Sequence, residues 1–315
     1  MKKYCFGIDI GGTTVKCGLF ETAGKLVDKW EITTRTRDGG KNILPDIAET
    51  IKAKAAEQGI SMDEVAGVGV GVPGPVKNGK VPVAVNLHWG ETDIEGELGA
   101  LTGLPVKAGN DANVAALGEM WQGGAKGKRD VIVVTLGTGV GGGIIVDGKI
   151  VEGAHGAGGE IGHGHVDDTI EEPCNCGNKG CLEQVASATG IVRLAEEEMD
   201  KKADDEETLL DDKKLSSKNV FDAYKKGDDV AERIVNRFAA YLGKALGSYA
   251  AVIDPEVIVI GGGVSRAGDC LTEIVGRYYR QYAFPALKNT PIVLAQLGND
   301  AGIYGSAKLV IDAVE

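Results

Sequence analysis

The sequence has no apolar run approaching the length of a membrane span, which argues against a transmembrane helix. Its first residues, M-K-K-Y-C-F-G-I-D-I, lack the apolar core and cleavage site of a signal peptide and read as the start of a strand. There is no basic stripe, and a formal net charge of −12 argues against a nucleic-acid footprint. No G-x-x-x-x-G-K-[ST] occurs, so P-loop chemistry is excluded. Cysteine is sparse, six in all, and three of the six sit in one short stretch. That distribution suits a metal site in a reducing compartment better than a disulfide framework, and the expected location is cytoplasmic.

Glycine is what the chain has in excess, 48 residues in 315, gathered at turns with no collagen-like period. Many tight loops are expected, where backbone approaches backbone or a ligand. The length suggests two domains, and 43% hydrophobic with 25% charged residues fits a globular protein. Tyr4, Phe6, Ile8 and Ile10 alternate, Gly11-Gly12 follows, and a second apolar run begins at Thr14, which reads as a hairpin. Bare N–H groups and hydroxyls at that turn can take a phosphate, and Asp9 beside them can hold magnesium or its water. An ordinary hairpin turn remains the alternative. Ile43, Ile47, Ile51 and Ala55 mark a helix ending at Gly59. The run 65–76 reads as a buried strand entering a Gly/Pro loop, with main-chain groups from Gly71 to Pro75 at a sheet edge. N-L-H-W, Asn86 to Trp89, is either a surface loop or a sugar-facing one.

Asn110-Asp111 stands where the strand 105–108 meets a helix beginning near Ala112. A carboxylate there is either an N-cap or a general base at a strand end. The stretch 131–151 repeats the opening pattern: strand, glycine turn, strand. Gly137, Gly139 and Gly142 spell G-x-G-x-x-G, but a β run follows where a dinucleotide site needs a helix. What remains is a duplication, D-I-G-G-T and L-G-T-G being the same device used twice. Val230 to Val252 reads as a long helix whose internal glycines imply a close helix neighbour, and 200–217 as a charged surface segment. Val257 to Ile260 is a strand ending in Gly261-Gly262-Gly263.

The most concentrated chemistry lies from Gly158 to Glu183: G-G-E-I-G-H, ten residues, then C-N-C-G-N-K-G-C-L-E. His163, Cys174, Cys176 and Cys181 offer one imidazole and three thiolates, a set suited to a closed four-coordinate zinc site. Glu160 and Glu183 flank that set, and zinc chemistry does not require them. The reading is a metal-pinned loop that presents carboxylates to something small and hydroxylated. Buried free thiols and a purely structural metal are the alternatives.

In order, G-I-D-I-G-G-T-T-V-K, G-V-G-V-P-G-P-V, N-D-A-N, L-G-T-G-V-G-G-G and G-E-I-G-H with C-x-C-G-x-x-G-C-x-E resemble the ROK family of repressors, open reading frames and sugar kinases. The resemblance spans essentially the whole chain and points within the family to bacterial glucokinases. It implies an α/β, two-lobed, actin-like or hexokinase-type ATPase fold of ribonuclease H-like type, with a duplicated βββαβα core. The implied division is a small domain over 1–113, on which 302–315 packs, and a large domain over 114–301 containing the zinc loop 158–183.

The resemblance also implies roles. Asp111 is the base that takes the proton of a sugar 6-hydroxyl. Gly71, Asn86, Asn110, Glu160, His163 and Glu183 join Asp111 in binding the sugar, with His163 also on zinc. Asp9, Gly11, Gly12, Thr13, Lys16, Thr138 and Gly139 resemble phosphate clamps, and Gly261, Gly262 and Gly263 an adenosine contact. The implied cofactors are structural Zn2+ and Mg2+ with ATP. The implied partners are glucose or a related hexose and a second copy of the chain, as homodimer or homotetramer. Phosphoryl transfer suits these parts, since it needs alignment and charge neutralisation more than covalent help. His88 departs from the glycine common in family glucokinases, which leaves N-acetylmannosamine, fructose or allose as other sugars and polyphosphate as another donor. A sugar-responsive regulator is disfavoured, because no helix-turn-helix precedes Asp9, and a non-catalytic binder because base and turns are intact.

Overall fold

Strand β1 (Tyr4–Ile10) is buried on both faces, which explains its nearly unbroken apolar sequence. Phe6, Ile8 and Ile10 enter one core while Cys5 enters another beneath the C-terminal helix Ala301–Val314. The computed structural model describes residues 2–211 and 213–315. They divide into two units, one of 1–127, 150–158 and 297–315, the other of 128–149 and 159–296.

In the first unit β1 hairpins to β2 (Thr14–Glu21), which pairs with β3 (Leu26–Thr33). Helix α1 (Ile43–Glu57) then leads to β4 (Val65–Val72), parallel to β1. Two short strands, β5 (Lys80–Val81) and β6 (Thr92–Asp93), pair with each other before α2 (Ile94–Thr102). Strand β7 (Val106–Asn110) joins β4 in parallel and runs directly into α3 (Asp111–Gln122). The sheet order is β3-β2-β1-β4-β7. Ile43, Ile47 and Ile51 of α1 and Ile94 and Leu98 of α2 cover one face. The C-terminal helix covers the other at backbone contact: a Cβ on Gly7 would lie 2.0 Å from the Ile303 carbonyl oxygen, and one on Gly69 would lie 1.6 Å from that of Ser306. The glycines alternating through β4 are therefore the surface on which that helix rests.

The chain divides after Gly127, not after residue 113. Residue 113 falls inside α3, and α3 packs so tightly on the C-terminal helix that a Cβ on Gly305 would meet the Val114 carbonyl. Cutting there would expose that contact.

The second unit repeats the topology. Strands β8 (Val131–Leu136), β9 (Val140–Val146), β10 (Lys149–Ile150), β11 (Val257–Gly261) and β12 (Ile292–Leu294) run in the order β10-β9-β8-β11-β12. As in the first sheet, β8 and β9 are antiparallel while β8–β11 and β11–β12 are parallel. The helices α4 (Glu183–Ala186), α5 (Ala188–Lys201), α6 (Ser217–Tyr224), α7 (Asp229–Ile253) and α8 (Asp269–Tyr282) share a core centred on Phe238, Leu242 and Leu246. Gly243 and Gly247 of α7 lie against Tyr278–Tyr279 and Tyr282–Ala283, so the close neighbour expected of this helix is α8 and the residue after it. In the charged run 200–217, of which residue 212 lies outside the described residues, Glu206 pairs with Arg233 at 2.9 Å. No helix among the described residues is long and apolar enough to cross a membrane.

Candidate functional site

In the first unit the β1–β2 turn is closed by the Gly11 N–H donating to Thr14 O at 3.0 Å. Thr34, just past β3, ties it down by donating its hydroxyl to Gly11 O (2.6 Å) and its N–H to Thr13 O (2.9 Å). Gly12 and Thr13 are left exposed at the tip. Asp9 and Lys16 are register partners across the hairpin, with Nζ 3.8 Å from Asp9 Oδ2. Lys16 Nζ also donates to Asn299 O at 3.0 Å. Burial pushes the Asp9 carboxyl above its ordinary range, and the Lys16 charge opposes this. Asn86 is beside the tip: a Cβ on Gly12 would lie 3.6 Å from Asn86 Cβ.

The register sets the scale of this face. Asp9 pairs with Gly71 and Gly71 with Gly109, so the end of β7 lies two strand spacings from Asp9, about 10 Å. All three parallel strands end here, the edge where open α/β sheets bind ligands. Asn110, not Asp111, is the N-cap of α3: its Oδ1 accepts from Ala112 N (3.0 Å) and Asn113 N (3.2 Å). Its Nδ2 donates to Gly74 O at 3.1 Å. Asp111 is thereby placed exposed at the first helical position, with Oδ1 accepting from Ala112 N at 2.8 Å.

Gly71 does not belong to this exposed edge. It is buried within β4, and the space where a side chain would stand is already filled: a Cβ there would lie 2.7 Å from Val114 Cγ2 and 3.2 Å from Ser306 Oγ. Packing accounts for it, and Gly74 is the residue of that loop that meets Asn110. Asn113 had no role assigned from sequence. It is 5% exposed, and its Oδ1 is the one buried side-chain oxygen or nitrogen without a hydrogen-bond partner among the described residues. Only its place as the last letter of N-D-A-N pointed to it.

In the second unit the β8–β9 turn is closed by Gly137 N–H to Gly139 O at 3.0 Å, with Thr138 exposed. Beside it, β11 ends at Gly261. Gly262 has φ +82°, and a Cβ there would lie 2.5 Å from Leu136 O, so both conformation and contact require glycine. Gly263 and Arg266 help line a cavity of about 240 Å³ whose opposite wall is α6, with Lys218, Phe221 and Lys225. Sequence reading missed this wall, because it begins where the charged run ends and carries no motif.

His163, Cys174, Cys176 and Cys181 converge, their ligand atoms all within 4.8 Å of one another. Cys176 Sγ is 3.6 Å from Cys181 Sγ, and Cys174 Sγ is 3.7 Å from His163 Nδ1. A zinc tetrahedron with ordinary sulfur and nitrogen bonds has edges of about 3.5–3.8 Å, so the donor set fits a metal ion. Nδ1 is the nitrogen turned to the thiols, and Nε2 faces Glu160 Oε2 at 3.8 Å. Glu183 reaches both ways: Oε1 is 3.5 Å from Cys174 Sγ, and Oε2 accepts from Val140 N at 3.1 Å. Tyr249 of α7 steadies the loop by donating its hydroxyl to Ile161 O at 2.8 Å. The first unit thus gathers Asp9, Gly11, Gly12, Thr13, Lys16, Asn86, Asn110 and Asp111 on one sheet edge. The second gathers Thr138, Gly139, Glu183 and the metal cluster, with Gly261–Gly263 beside Leu136.

The model of the ROK family matches residues 5–313. The glucokinase of Halalkalibacterium halodurans is 43% identical over 313 residues, 98% of this chain and 95% of that protein. The ROK hexokinase from Thermus thermophilus superposes with a TM-score of 0.82 at 32% identity, over 98% of this chain and 97% of that one. A ROK family glucokinase from Streptomyces griseus, solved in complex with glucose and AMPPNP, gives 0.73 at 32% identity, over 97% of this chain and 98% of that one. Motifs, duplicated topology and comparisons agree: the chain belongs to the ROK family.

Proposed function

We propose that this ROK protein is an ATP-dependent hexose kinase whose sugar is glucose and whose product is glucose 6-phosphate. The observation that carries the reading is Asp111, an exposed carboxylate at the first position of α3, about 10 Å along the same sheet edge from the Asp9–Lys16 turn. In the proposed reaction Asp111 accepts the proton of the 6-hydroxyl as that oxygen bonds to the γ-phosphorus. The bond from the γ-phosphorus to the bridging oxygen breaks, and ADP leaves with that oxygen. With the Gly11 N–H spent on closing its turn, Gly12 and Thr13 of the first turn and Thr138 and Gly139 of the second supply N–H groups for phosphate oxygens. Asp9 and Lys16 provide one carboxylate for magnesium or its water and one cation for phosphate. Magnesium supplied with ATP neutralises phosphate charge. The cavity between α6 and Gly263 is the proposed place of the adenosine.

Asn110 uses its oxygen as a helix cap, so it offers sugar only its remaining amide hydrogen. Glu160, Glu183 and Nε2 of His163 are the proposed partners of the ring hydroxyls. The metal is proposed to be zinc, held by His163 Nδ1 and three thiolates, where its contribution is to fix the loop. The test is ADP release from MgATP with glucose, N-acetylmannosamine, fructose, mannose and allose side by side. Glucose should dominate. Preference for another hexose would move the specificity to the loop of Asn86 to Trp89. No turnover with any sugar by folded, zinc-loaded protein would overturn the kinase reading and bring polyphosphate or a non-catalytic role forward.

A further inference from the structure

The β8–β9 turn is held from behind by one short segment that starts two residues after the last cysteine of the metal cluster. Three turn groups are engaged. Ala188 N donates to Gly137 O at 2.8 Å, Thr189 Oγ1 donates to Thr138 O at 2.7 Å, and Glu183 Oε2 accepts from Val140 N at 3.1 Å. The contact is tight, for a Cβ on Gly139 would lie 2.0 Å from Glu183 Oε2.

Peptide planarity turns this clamp into a statement about phosphate. In a trans peptide the N–H of one residue points opposite to the C=O of the residue before it. Pinning the carbonyls of Gly137 and Thr138 towards α4 and α5 therefore aims the N–H groups of Thr138 and Gly139 the other way, out of the turn. Successive outward N–H groups form an anion-binding concavity. The clamp is itself anchored. Thr189 spends its hydroxyl hydrogen on Thr138 O, so Ser187 Oγ donates to Thr189 Oγ1 (2.8 Å) and accepts from Gly190 N (2.9 Å). Ser187 is wholly buried. At the other end, Leu182 N donates to Gly164 O at 2.9 Å, and Glu183 Oε1 lies 3.5 Å from Cys174 Sγ. Glu183 is thus tied to the metal loop through the chain, two residues after Cys181, and to the turn through Oε2, with Oε1 left for a hydroxyl.

We propose that Glu183, the Ala188 backbone and Thr189 are positioning residues for the nucleotide phosphates, and that filling the metal site tightens nucleotide binding at this turn with no sugar present. The proposal rests on the nucleotide reading of the turn given above. Coupling of this kind is reciprocal: the factor by which metal tightens nucleotide is the factor by which nucleotide tightens metal.

The experiment is calorimetric titration of MgADP into sugar-free protein, zinc-loaded or zinc-stripped, for the wild type, Thr189→Val, Thr189→Ser and Glu183→Gln. Thr189→Val should weaken MgADP about 5- to 10-fold, one charge-free hydrogen bond's worth, while zinc content and glucose affinity stay at wild-type values. Thr189→Ser, which keeps the hydroxyl, should restore affinity. Glu183→Gln keeps an oxygen for Val140 N and should retain MgADP affinity while losing glucose affinity. Stripping zinc should weaken MgADP at least as much as Thr189→Val, and saturating MgADP should slow zinc loss to a chelator. Wild-type MgADP affinity in Thr189→Val, or in stripped protein with an unchanged circular dichroism spectrum, overturns the coupling. Zinc-loaded wild type that binds no MgADP overturns the nucleotide reading of the turn and the proposal with it.

Discussion

The two glycine turns occupy equivalent places in sheets of the same topology, each between the first and second strand, yet unrelated devices hold them. The first is braced by Thr34 and flanked by the Asp9–Lys16 pair, with Lys16 reaching the chain just before the C-terminal helix. The second is braced by Glu183 and Thr189, on the segment that leaves the metal loop. Duplication supplied the scaffold, and what differs is the chemistry placed behind each turn. The first turn carries a half-buried carboxylate, whose partial desolvation costs stability. The second carries a link to the cluster that could hold a metal, and the proposal above makes its geometry depend on that ion.

Cys181→Ala breaks the second device at its root and carries the largest expected effect. The sulfur is fully buried and 3.6 Å from Cys176 Sγ. Losing one of four ligands should release the metal, disorder 160–181, and abolish sugar binding together with turnover. Metal analysis alongside glucose titration checks this. On the first unit, Asp111→Asn should leave both turns and glucose binding nearly intact while kcat falls about 10²- to 10⁴-fold, the range of a lost general base. Wild-type turnover in that variant would refute the base assignment.

A paired substitution sharpens the contrast. Gly12→Ala meets nothing closer than 3.5 Å, whereas Gly139→Ala drives a methyl into the Glu183 carboxylate, which must then leave Val140. Both add one carbon to a glycine turn proposed to hold phosphate. Gly139→Ala should lower kcat/KM at least about 10-fold more than Gly12→Ala, because only the second turn loses its brace. Equal losses would mean that the brace contributes nothing.

Much of this was legible in the sequence because it is local. The alternation of Tyr4 to Ile10, the turn residues and the cysteine spacing each report on a few neighbouring positions, and the structure places them as those patterns imply. The helix hydrogen bonds gave the N-cap to Asn110 and left the carboxylate of Asp111 outward, a choice that residue types alone left open. What was not legible depends on distant partners. Gly71 read as part of a ligand loop, and Val114 and Ser306, far along the chain, add a packing reason for glycine there that the sequence did not show. Thr189 sits in no motif, and only the fold of α5 brings it to the Thr138 carbonyl. The unit boundary was misplaced for the same reason, since the partner of α3 is the last helix of the chain.

Asp9→Asn tests the cost carried by the first turn. The folded carboxyl titrates above the ordinary value of 3.8, because burial outweighs Lys16. Between 3.8 and that raised value the folded protein keeps a proton that the unfolded chain has released, so stability from this group falls as pH rises through the window. Above the window the cost is constant, and below 3.8 it is absent. Asp9→Asn should therefore be more stable than wild type at neutral pH, lose that advantage as pH drops below the window, and turn over far more slowly. Denaturant midpoints at neutral and acid pH read the first two effects.

The smallest expected effect is at His88, whose φ of +57° lies in the left-handed region where glycine is at home and a side chain is strained. Its neighbours are held on both sides. Leu87 is fully buried, Trp89 is 5% exposed and donates its indole N–H to Gly40 O at 3.2 Å, and Ala84 pairs with Trp89 across the loop. His88→Gly relieves that strain and should raise stability by about 1 kcal/mol. Asn86, two residues earlier, lies against the Gly12 turn, so the same loop borders the proposed phosphate turn. If the imidazole contributes to selection, the glucose-to-mannose ratio of kcat/KM shifts in His88→Gly. If that ratio is unchanged while the midpoint rises, His88 is tolerated strain, and preference among hexoses rests with the carboxylates.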